Sequence, residues 1–393
     1  SKGGSLTLRK GLVVFQFSIS IAIIISTFLM RNQIEFMREM DMGFQTQNIS
    51  VIPVRDSTTK AHLPEIREKL EEHPNILATT TSSGVPAHSV RRMLFYTEHE
   101  KGLMDEEVID FLAVAPDYIE GMGLELIEGR NLTPIDTAAF LDTTRDYRMD
   151  FIVNETAARE VFDGDPLGKT VEWGLEIGGI KKRKGLVVGV VRDFKFSSLH
   201  EEQKPLIIIP QWESGGMLHI RLKGDDVVNT MAFVEKIWEP YEKEGSPYNP
   251  FFIDEEFDKL YTSDRRQSQL MGILAGICIV ISILGLLGFA SYTIEQRRRE
   301  IGIRKVLGAS MLRIVRMLMW EVFLLVLLAS FIASIIGYLG IQWWLVEFAY
   351  QAAIPFELFL YSGLIALLVA TAAVAIQSIR AALSSPVLAL KYE

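Results

Sequence analysis

The stretch with the strongest outward claim to chemistry is Gly164-Asp-Pro-Leu-Gly168-Lys169-Thr170. A glycine-rich loop ending in Lys-Thr can cradle phosphates with its backbone N–H groups. That motif needs four residues between its glycines, however, and this stretch has three, with Pro166 among them. A helix pattern precedes it and a strand-like run follows. This reverses the strand–loop–helix order that aims a helix N-terminus at phosphate. The stretch is read as a turn. The six histidines, His62, His73, His88, His99, His200 and His219, are scattered, and no two of them have the spacing of a helical zinc site. They read as structural or solvated. The basic run Lys181-Lys-Arg-Lys184 falls between two strand-like runs and reads as a solvated hairpin tip. No Gly-x-Ser-x-Gly elbow and no cysteine–histidine pair marks a nucleophile, and the single cysteine, Cys278, lies in an apolar run.

More informative is Glu295-Gln-Arg-Arg-Arg-Glu300-Ile-Gly-Ile-Arg304-Lys-Val-Leu-Gly308-Ala-Ser310. Its apolar residues, Ile301, Ile303, Val306 and Leu307, are too few to span a membrane and sit among charges. The pattern suits a helix lying along a membrane surface, or a short helix docking into a partner's groove. Docking would place Ile301 and Ile303 in the groove, with Glu300 and Arg304 around it. The alternative is that this pair, four residues apart, bonds only to itself, which contributes a few tenths of a kcal/mol on an exposed helix. A second pattern is Gly272-Ile-Leu-Ala-Gly276, a close-packing spacing that Gly285 and Gly288 continue as a small-residue face. It serves either dimerisation or packing within one chain.

The elements that position these residues follow from hydropathy and charge. Leu12–Met30 and Leu270–Ile294 carry no charge, Met317–Val346 tolerates only Glu321, and Phe359–Ile379 is the fourth apolar run. Each is long enough for the ~30 Å hydrocarbon layer at about 1.5 Å per residue. Arg9 and Lys10 precede the first run, and seven Lys or Arg residues lie between the second and third. The segment 347–357 has none. Basic flanks mark the cytoplasmic side, so both termini are expected there. Residues 31–266 hold 43 of the 49 acidic and 28 of the 40 basic residues, a block of −15 against +6 for the remainder. An acidic block between apolar ends excludes a nucleic-acid partner, which would need a basic face, and suits a water-facing domain on the outer side.

Within that block Ile49–Val54, Phe151–Val153, Leu186–Val191, Leu206–Ile209 and Leu218–Leu222 read as strands. Leu63–Glu71, a helix capped by Asn154 and running through Phe162, and Val227–Tyr241 read as helices. Met30, Ile34, Met37 and Met40 extend the first helix beyond the membrane, and Glu256–Gln269 mirrors this on the way back, as a stalk or as helices packed on the domain. The expected fold is a four-helix membrane protein with a large α+β extracytoplasmic domain, of two subdomains, inserted between the first and second helices. Its parts are 1–47 (cytoplasmic N-terminus, first helix and stalk), 48–262 (extracytoplasmic domain) and 263–393 (three helices, the cytoplasmic loop 295–313 and a cytoplasmic tail).

The loop resembles the cytoplasmic loop of MacB/FtsX-type ABC transporter permeases, E-R-x-R-E-I-G-I-R-x-x-x-G-A, at Glu295, Arg297, Arg299, Glu300, Ile301, Gly302, Ile303, Arg304, Gly308 and Ala309. The tail from Ser378 to Leu390, with Pro386, is similar to that family's closing A-x-x-A-x-x-x-x-P-x-x-A-L. Val153-Asn-Glu-Thr-Ala157, Pro166-Leu-Gly-Lys169 and Val188–Phe194 are similar to its outer domain. The resemblance implies a multi-pass inner-membrane permease subunit that is not itself an enzyme and holds no cofactor. ATP would bind a separate cytoplasmic ABC ATPase, coupled through Glu295, Arg299–Arg304, Gly308 and Ala309. Motion of the outer domain would then export or extract a drug, peptide or lipoprotein-like substrate. Implied partners are that ATPase, the lipid bilayer, a second permease half or a second copy, and a periplasmic or outer-membrane protein. The start at Ser1 rather than Met is also what a second half of a longer duplicated permease would give. The runner-up within the family is a signalling complex that regulates cell-wall hydrolases or senses antimicrobial peptides. Outside it, the alternative is a stand-alone receptor, which has no need of the basic loop.

Overall fold

The computed structural model describes residues 2–383, except 46, 87–89, 100–101, 135, 137–148, 174–182, 211–215, 243–246, 298–299, 301, 305–306 and 308–309. Two compact units result, a helical one of residues 1–39 with 262–393 and an inserted domain of Met40–Tyr261.

The helical unit contains α1 (Lys2–Glu39) and three later helices. Four of its helices are long and apolar enough to cross a membrane. At 38 residues α1 is roughly 57 Å long, well beyond the hydrocarbon layer, and its polar continuation past Met30 is the extension that the methionine spacing predicts. It is also the most enclosed, with half of its apolar window buried inside the chain. Within the apolar layer its polar contacts are short-range and uncharged: the Ser20 and Ser282 hydroxyls lie 2.8 Å apart, and Ser18 donates to the Ala329 carbonyl at 3.3 Å.

The inserted domain begins with β1 (Ile49–Pro53), α2 (Ser57–Ala61), α3 (Leu63–Glu71), β2 (Ile76–Ser82), β3 (Arg91–Glu98), β4 (Met104–Val114), α4 (Tyr118–Gly121) and β5 (Leu126–Gly129). It continues with β6 (Phe151–Asn154), α5 (Glu155–Glu160), β7 (Thr170–Trp173), β8 (Arg183–Val191), β9 (Leu206–Pro210), β10 (Met217–Leu222), α6 (Val227–Trp238), β11 (Phe251–Phe252) and α7 (Ile253–Leu260). Six strands close on themselves in the order β4–β3–β7–β8–β6–β9, with β9 returning to β4 in a parallel pairing, Asp110 opposite Leu206. Closure removes free strand edges. The barrel's core includes Phe95, Phe111, Phe151, Val171 and Ile207, with Phe162 below α5. The remaining sheet, β11–β1–β10–β2, is covered by α3 and α6 through Leu63, Ile66, Leu70, Val234 and Trp238. The barrel and this sheet are continuous through β2 and β4 in one α+β unit.

At Asn154 the N-cap expectation and the two resemblance motifs meet. Its Oδ1 accepts from the Ala157 and Leu206 amides at 3.0 and 2.8 Å, and its Nδ2 donates to the Asp193 carboxylate and the Lys204 carbonyl at 2.7 and 3.0 Å. Thr156 adds a hydroxyl bond to Asp193 at 2.7 Å. The capped helix stops at Glu160 rather than Phe162. Another difference lies at the return to the membrane, where Glu256–Gln269 is not one helix. α7 ends at Leu260, and Tyr261 takes a non-helical backbone, its ring buried and its hydroxyl accepting from the Leu199 amide at 3.1 Å. The next helix starts at Thr262. Anchoring of Phe257 and Tyr261 in the domain core outweighs helix propagation there.

Candidate functional site

The helical unit resumes with α8 (Thr262–Gln296), α9 (Met311–Leu345) and α10 (Glu357–Leu383). The basic segment lies between α8 and α9. Among its described residues Glu300 and 302–304 are helical. The helix is held locally by the Leu307 amide donating to the Ile303 carbonyl at 3.0 Å. Of the residues singled out by the sequence, Arg299, Ile301, Gly308 and Ala309 lie outside the described residues, as does the tail beyond Leu383. Gly302 is buried, whereas Ile303 and Leu307 are 57% and 80% exposed. Four residues apart and joined by that bond, these two are exposed apolar neighbours, and Leu307 is not among the contact residues that the sequence predicts. Glu300 and Arg304 pair with each other at 2.7 Å, both half-exposed. In the isolated chain the self-pairing alternative therefore describes them. Arg304 also donates to the Met317 sulfur at 2.7 Å.

The segment is tied to the rest of the unit through Glu321, the one charge in the third apolar run. Its carboxylate receives Lys10 of α1 at 2.5 Å and Arg297 from the end of α8 at 3.1 Å, and it is largely buried. Arg9 stacks its guanidinium 3.8 Å from the ring centre of Tyr292 on α8. Three segments distant in sequence thus meet at one carboxylate. Sequence reading marks Glu321 only as a tolerated charge, because nothing local reveals partners 311 and 24 residues away. At the opposite end of α1, Gln33 donates to the Tyr350 carbonyl and accepts from the Ala352 amide, both at 2.7 Å.

The four glycines of α8 differ from one another. A methyl group on Gly285 would collide with the Gln16 side-chain amide of α1, whereas Gly272 has only Thr27 near, at 3.8 Å, and Gly276 and Gly288 have nothing within 4 Å. A second close approach to α1 lies on another helix, where a Cβ on Gly337 of α9 would meet Ile25 at 3.0 Å.

In the inserted domain the phosphate-loop lookalike is a turn with Gly164 and Gly168 at φ +85° and +78°, which glycine alone adopts without strain. Lys169 is committed to the His99 and Phe162 carbonyls at 2.8 and 3.1 Å. Of the basic run, Arg183 and Lys184 open β8 opposite Trp173 and Glu172 of β7, and Lys181 and Lys182 lie outside the described residues, as does His88. The fold also brings together a pair that spacing could not reveal: Ser82 and His219, held side by side by β2 and β10, with the hydroxyl 2.7 Å from Nε2. The serine donates to the Gly84 carbonyl, and both residues are sealed in the core, so the pair presents no nucleophile to a substrate. Burial pushes the His219 pKa down to about 3. Glu98 is held down at about 2 by the N–H groups of Gly102 and Thr170, each at 2.9 Å.

Two family models match this arrangement, the MacB-like periplasmic core domain over residues 12–237 and the FtsX-like permease C-terminal domain over residues 272–386. The chain belongs to the MacB/FtsX-type ABC transporter permeases. It is 25% identical over 229 residues to the macrolide export ATP-binding/permease protein MacB of Aggregatibacter actinomycetemcomitans, covering 55% of this chain and 33% of that protein. It is 23% identical over 343 residues to the ABC transporter permease YknZ of Bacillus subtilis, covering 83% of each. The chain thus spans about a third of that MacB. Among solved structures, the periplasmic region of MacB from Actinobacillus actinomycetemcomitans covers 55% of this chain and 94% of its own, at 15% identity and a TM-score of 0.37. As a MacB/FtsX-type permease the chain is a membrane protein, with its periplasmic-type core domain between the first and second membrane helices. The FtsX-like match includes most of α8, the basic segment, Glu321, α9 and α10.

Proposed function

We propose that this permease receives the ATP cycle of a separate cytoplasmic ABC ATPase through the segment 295–313. It passes that cycle to the inserted domain, whose motion exports or extracts a substrate on the outer side of the inner membrane. The observation that carries the reading is the joint at Glu321. Any displacement of the segment pulls on Arg297, and through the shared carboxylate on Lys10 and α1, the helix that leads directly into the domain at Met40. The basic flanks at Arg9, Lys10 and 297–316, against 347–357 without Lys or Arg, support placing this end and both termini in the cytoplasm. That puts the domain in the periplasm. Similarity to YknZ over 83% of both chains favours an ATPase on another polypeptide.

In this reading Ile303 and Leu307 enter a groove of the ATPase, and Glu300 and Arg304 exchange part of their mutual pairing for contacts at its rim. A second permease chain, identical or the other half of a pseudo-dimer, would complete the assembly, with the open faces at Gly276 and Gly288 available to it or to lipid. The test is co-purification with the ATPase and permease-stimulated ATP hydrolysis in vesicles. Truncating or charging a buried anchor costs about 2 kcal/mol or more, so Ile303→Asp and Glu300→Lys should reduce both readouts by at least about thirtyfold with the inserted domain still folded. Wild-type assembly and stimulation in both variants would show that the segment is not the coupling element.

A further inference from the structure

Between α1 and α8 lies a cleft of about 480 Å³ lined by Thr27, Arg31, Ile34, Glu35, Arg38, Arg265, Ser268, Gln269 and Gly272. Its depth is fixed by the sequence. The apolar run of α1 ends at Met30, one residue before Arg31, and that of α8 begins at Leu270, after the polar Gln267-Ser-Gln269 that follows Arg265 and Arg266. Thr27 and Gly272 therefore lie just inside the apolar layer, and the arginines just outside it. Arg31 and Arg38 are seven residues apart, two turns along one face of α1, and Arg265 is on the facing helix. Arg31 and Arg38 are exposed, and Ser268 is buried in the floor. Three guanidinium groups against the single carboxylate of Glu35 leave the lining cationic.

Arginine at a membrane boundary often only extends its head to water. Here three converge on one cleft from two helices, with a hydroxyl and an amide between them, and below Gly272, on the membrane side, α8 continues as an apolar wall with Ile273 and Leu274 exposed. Guanidinium forks bind phosphate oxygens in pairs, and a phospholipid places its phosphate at this depth with its acyl chains against the wall below. We propose that this cleft is a binding site for the headgroup of an anionic phospholipid. The inference rests on the bilayer placement of the apolar helices and is independent of how the ATPase couples. A free phosphate shares the headgroup's charge, but it gains nothing from the apolar wall.

The test is native mass spectrometry of the full chain released from vesicles of phosphatidylcholine with one-tenth phosphatidylglycerol. The wild type should retain phosphatidylglycerol in clear excess over its share. Each basic residue near an anionic surface contributes about 1 kcal/mol, so Arg31→Ala, Arg38→Ala and Arg265→Ala should each lower retention about fivefold. Arg31→Lys with Arg38→Lys should keep most of it. Glu35→Gln should raise retention, a gain that misfolding cannot produce. Retention at the bulk ratio by the wild type, or unchanged retention in the three alanine variants, would overturn the proposal. So would displacement of the lipid by millimolar inorganic phosphate, which would make the cleft a site for free anions.

Discussion

The inserted domain and the helical unit handle buried polarity in opposite ways. In the domain, Asn154 lies at 0% exposure with all four of its hydrogen-bonding positions used, bonding to α5, β9, the segment before β9 and Asp193. These bonds are largely neutral and enclosed by aromatic and β-branched side chains, so no one of them can be exchanged without exposing the others. In the helical unit the apolar layer holds serines bonded in pairs or to backbone, and a cluster of charged contacts lies at one end, around Glu321. Its partners Lys10 and Arg297 are each more than a third exposed and can trade protein for water. The comparison teaches where the molecule resists deformation and where it yields. The domain keeps its shape, and on the proposed reading the joint is what moves.

The largest expected effect breaks the stiff side of the comparison. Asn154→Ala strands the Ala157 and Leu206 amides and the Lys204 carbonyl, at about 1–3 kcal/mol for each orphaned group, while Asp193 keeps its bonds from Thr156. The domain should lose at least about 3 kcal/mol, read as hydrogen exchange in β6 and β9 of the intact chain. A loss below about 1 kcal/mol would mean that the network is replaceable. The next effect depends on pH. His219 titrates near 6.5 when unfolded and at about 3 when folded. Above pH 6.5 it is neutral in both states. Below that only the unfolded chain takes up the proton, so stability falls by up to about 1.4 kcal/mol per pH unit until about pH 3. Glu98 is ionised in both states above pH 4.5. The stability that its bonds provide is lost between about 4.5 and 2, so the window from 6.5 to 4.5 isolates the histidine. All six histidines fall within the inserted domain, and its exchange protection, corrected for the intrinsic rate at each pH, should fall across that window while that of α8 and α9 changes less. His219→Gln should flatten the slope whatever it does to the plateau.

How much of this was legible varied with the range of the cause. The four apolar helices were visible because hydropathy is local, β1, β6, β8 and β9 because each is rich in β-branched residues, and β10 because Leu218, Ile220 and Leu222 alternate with polar positions. The β3–β4 hairpin was not. Its exposed positions bring Arg91, Arg92, Asp105 and Glu106 into the strands, and the alternation is lost among charges. β2, with Thr79, Thr80 and Thr81 in succession, shows no apolar alternation, yet all three are buried. Barrel closure depends on pairing 110 with 206, a register that no local pattern encodes. At the candidate site the same rule holds. The segment was legible as charged and apolar residues at helical spacing, and the glycines as small residues, but which glycine meets a neighbour depends on Gln16. The joint at Glu321 was legible only as an anomaly.

The smallest effect tests the yielding side. Removing one partner of a fully buried ion pair costs about 3–5 kcal/mol, but Glu321 keeps some exposure and its partners keep more. Screening and water should reduce the cost of Glu321→Gln to about 1–2 kcal/mol of the helical unit's stability, measured by thermal unfolding in nanodiscs. Lys10→Ala should cost less again, because Arg297 still neutralises the carboxylate. The two effects should fall short of additivity, as expected for groups sharing one partner. Stability alone would not separate a joint from ordinary packing, so the second readout is stimulated ATP hydrolysis. A joint that transmits motion predicts that Glu321→Gln uncouples hydrolysis from the permease although the chain still binds the ATPase. Exchanging the charges, Lys10→Glu with Glu321→Lys, should restore less than half of the coupling, since an ammonium group in place of the carboxylate repels Arg297. If Glu321→Gln melts earlier yet couples at the wild-type rate, the carboxylate only holds the helices together and the signal reaches α1 by another contact.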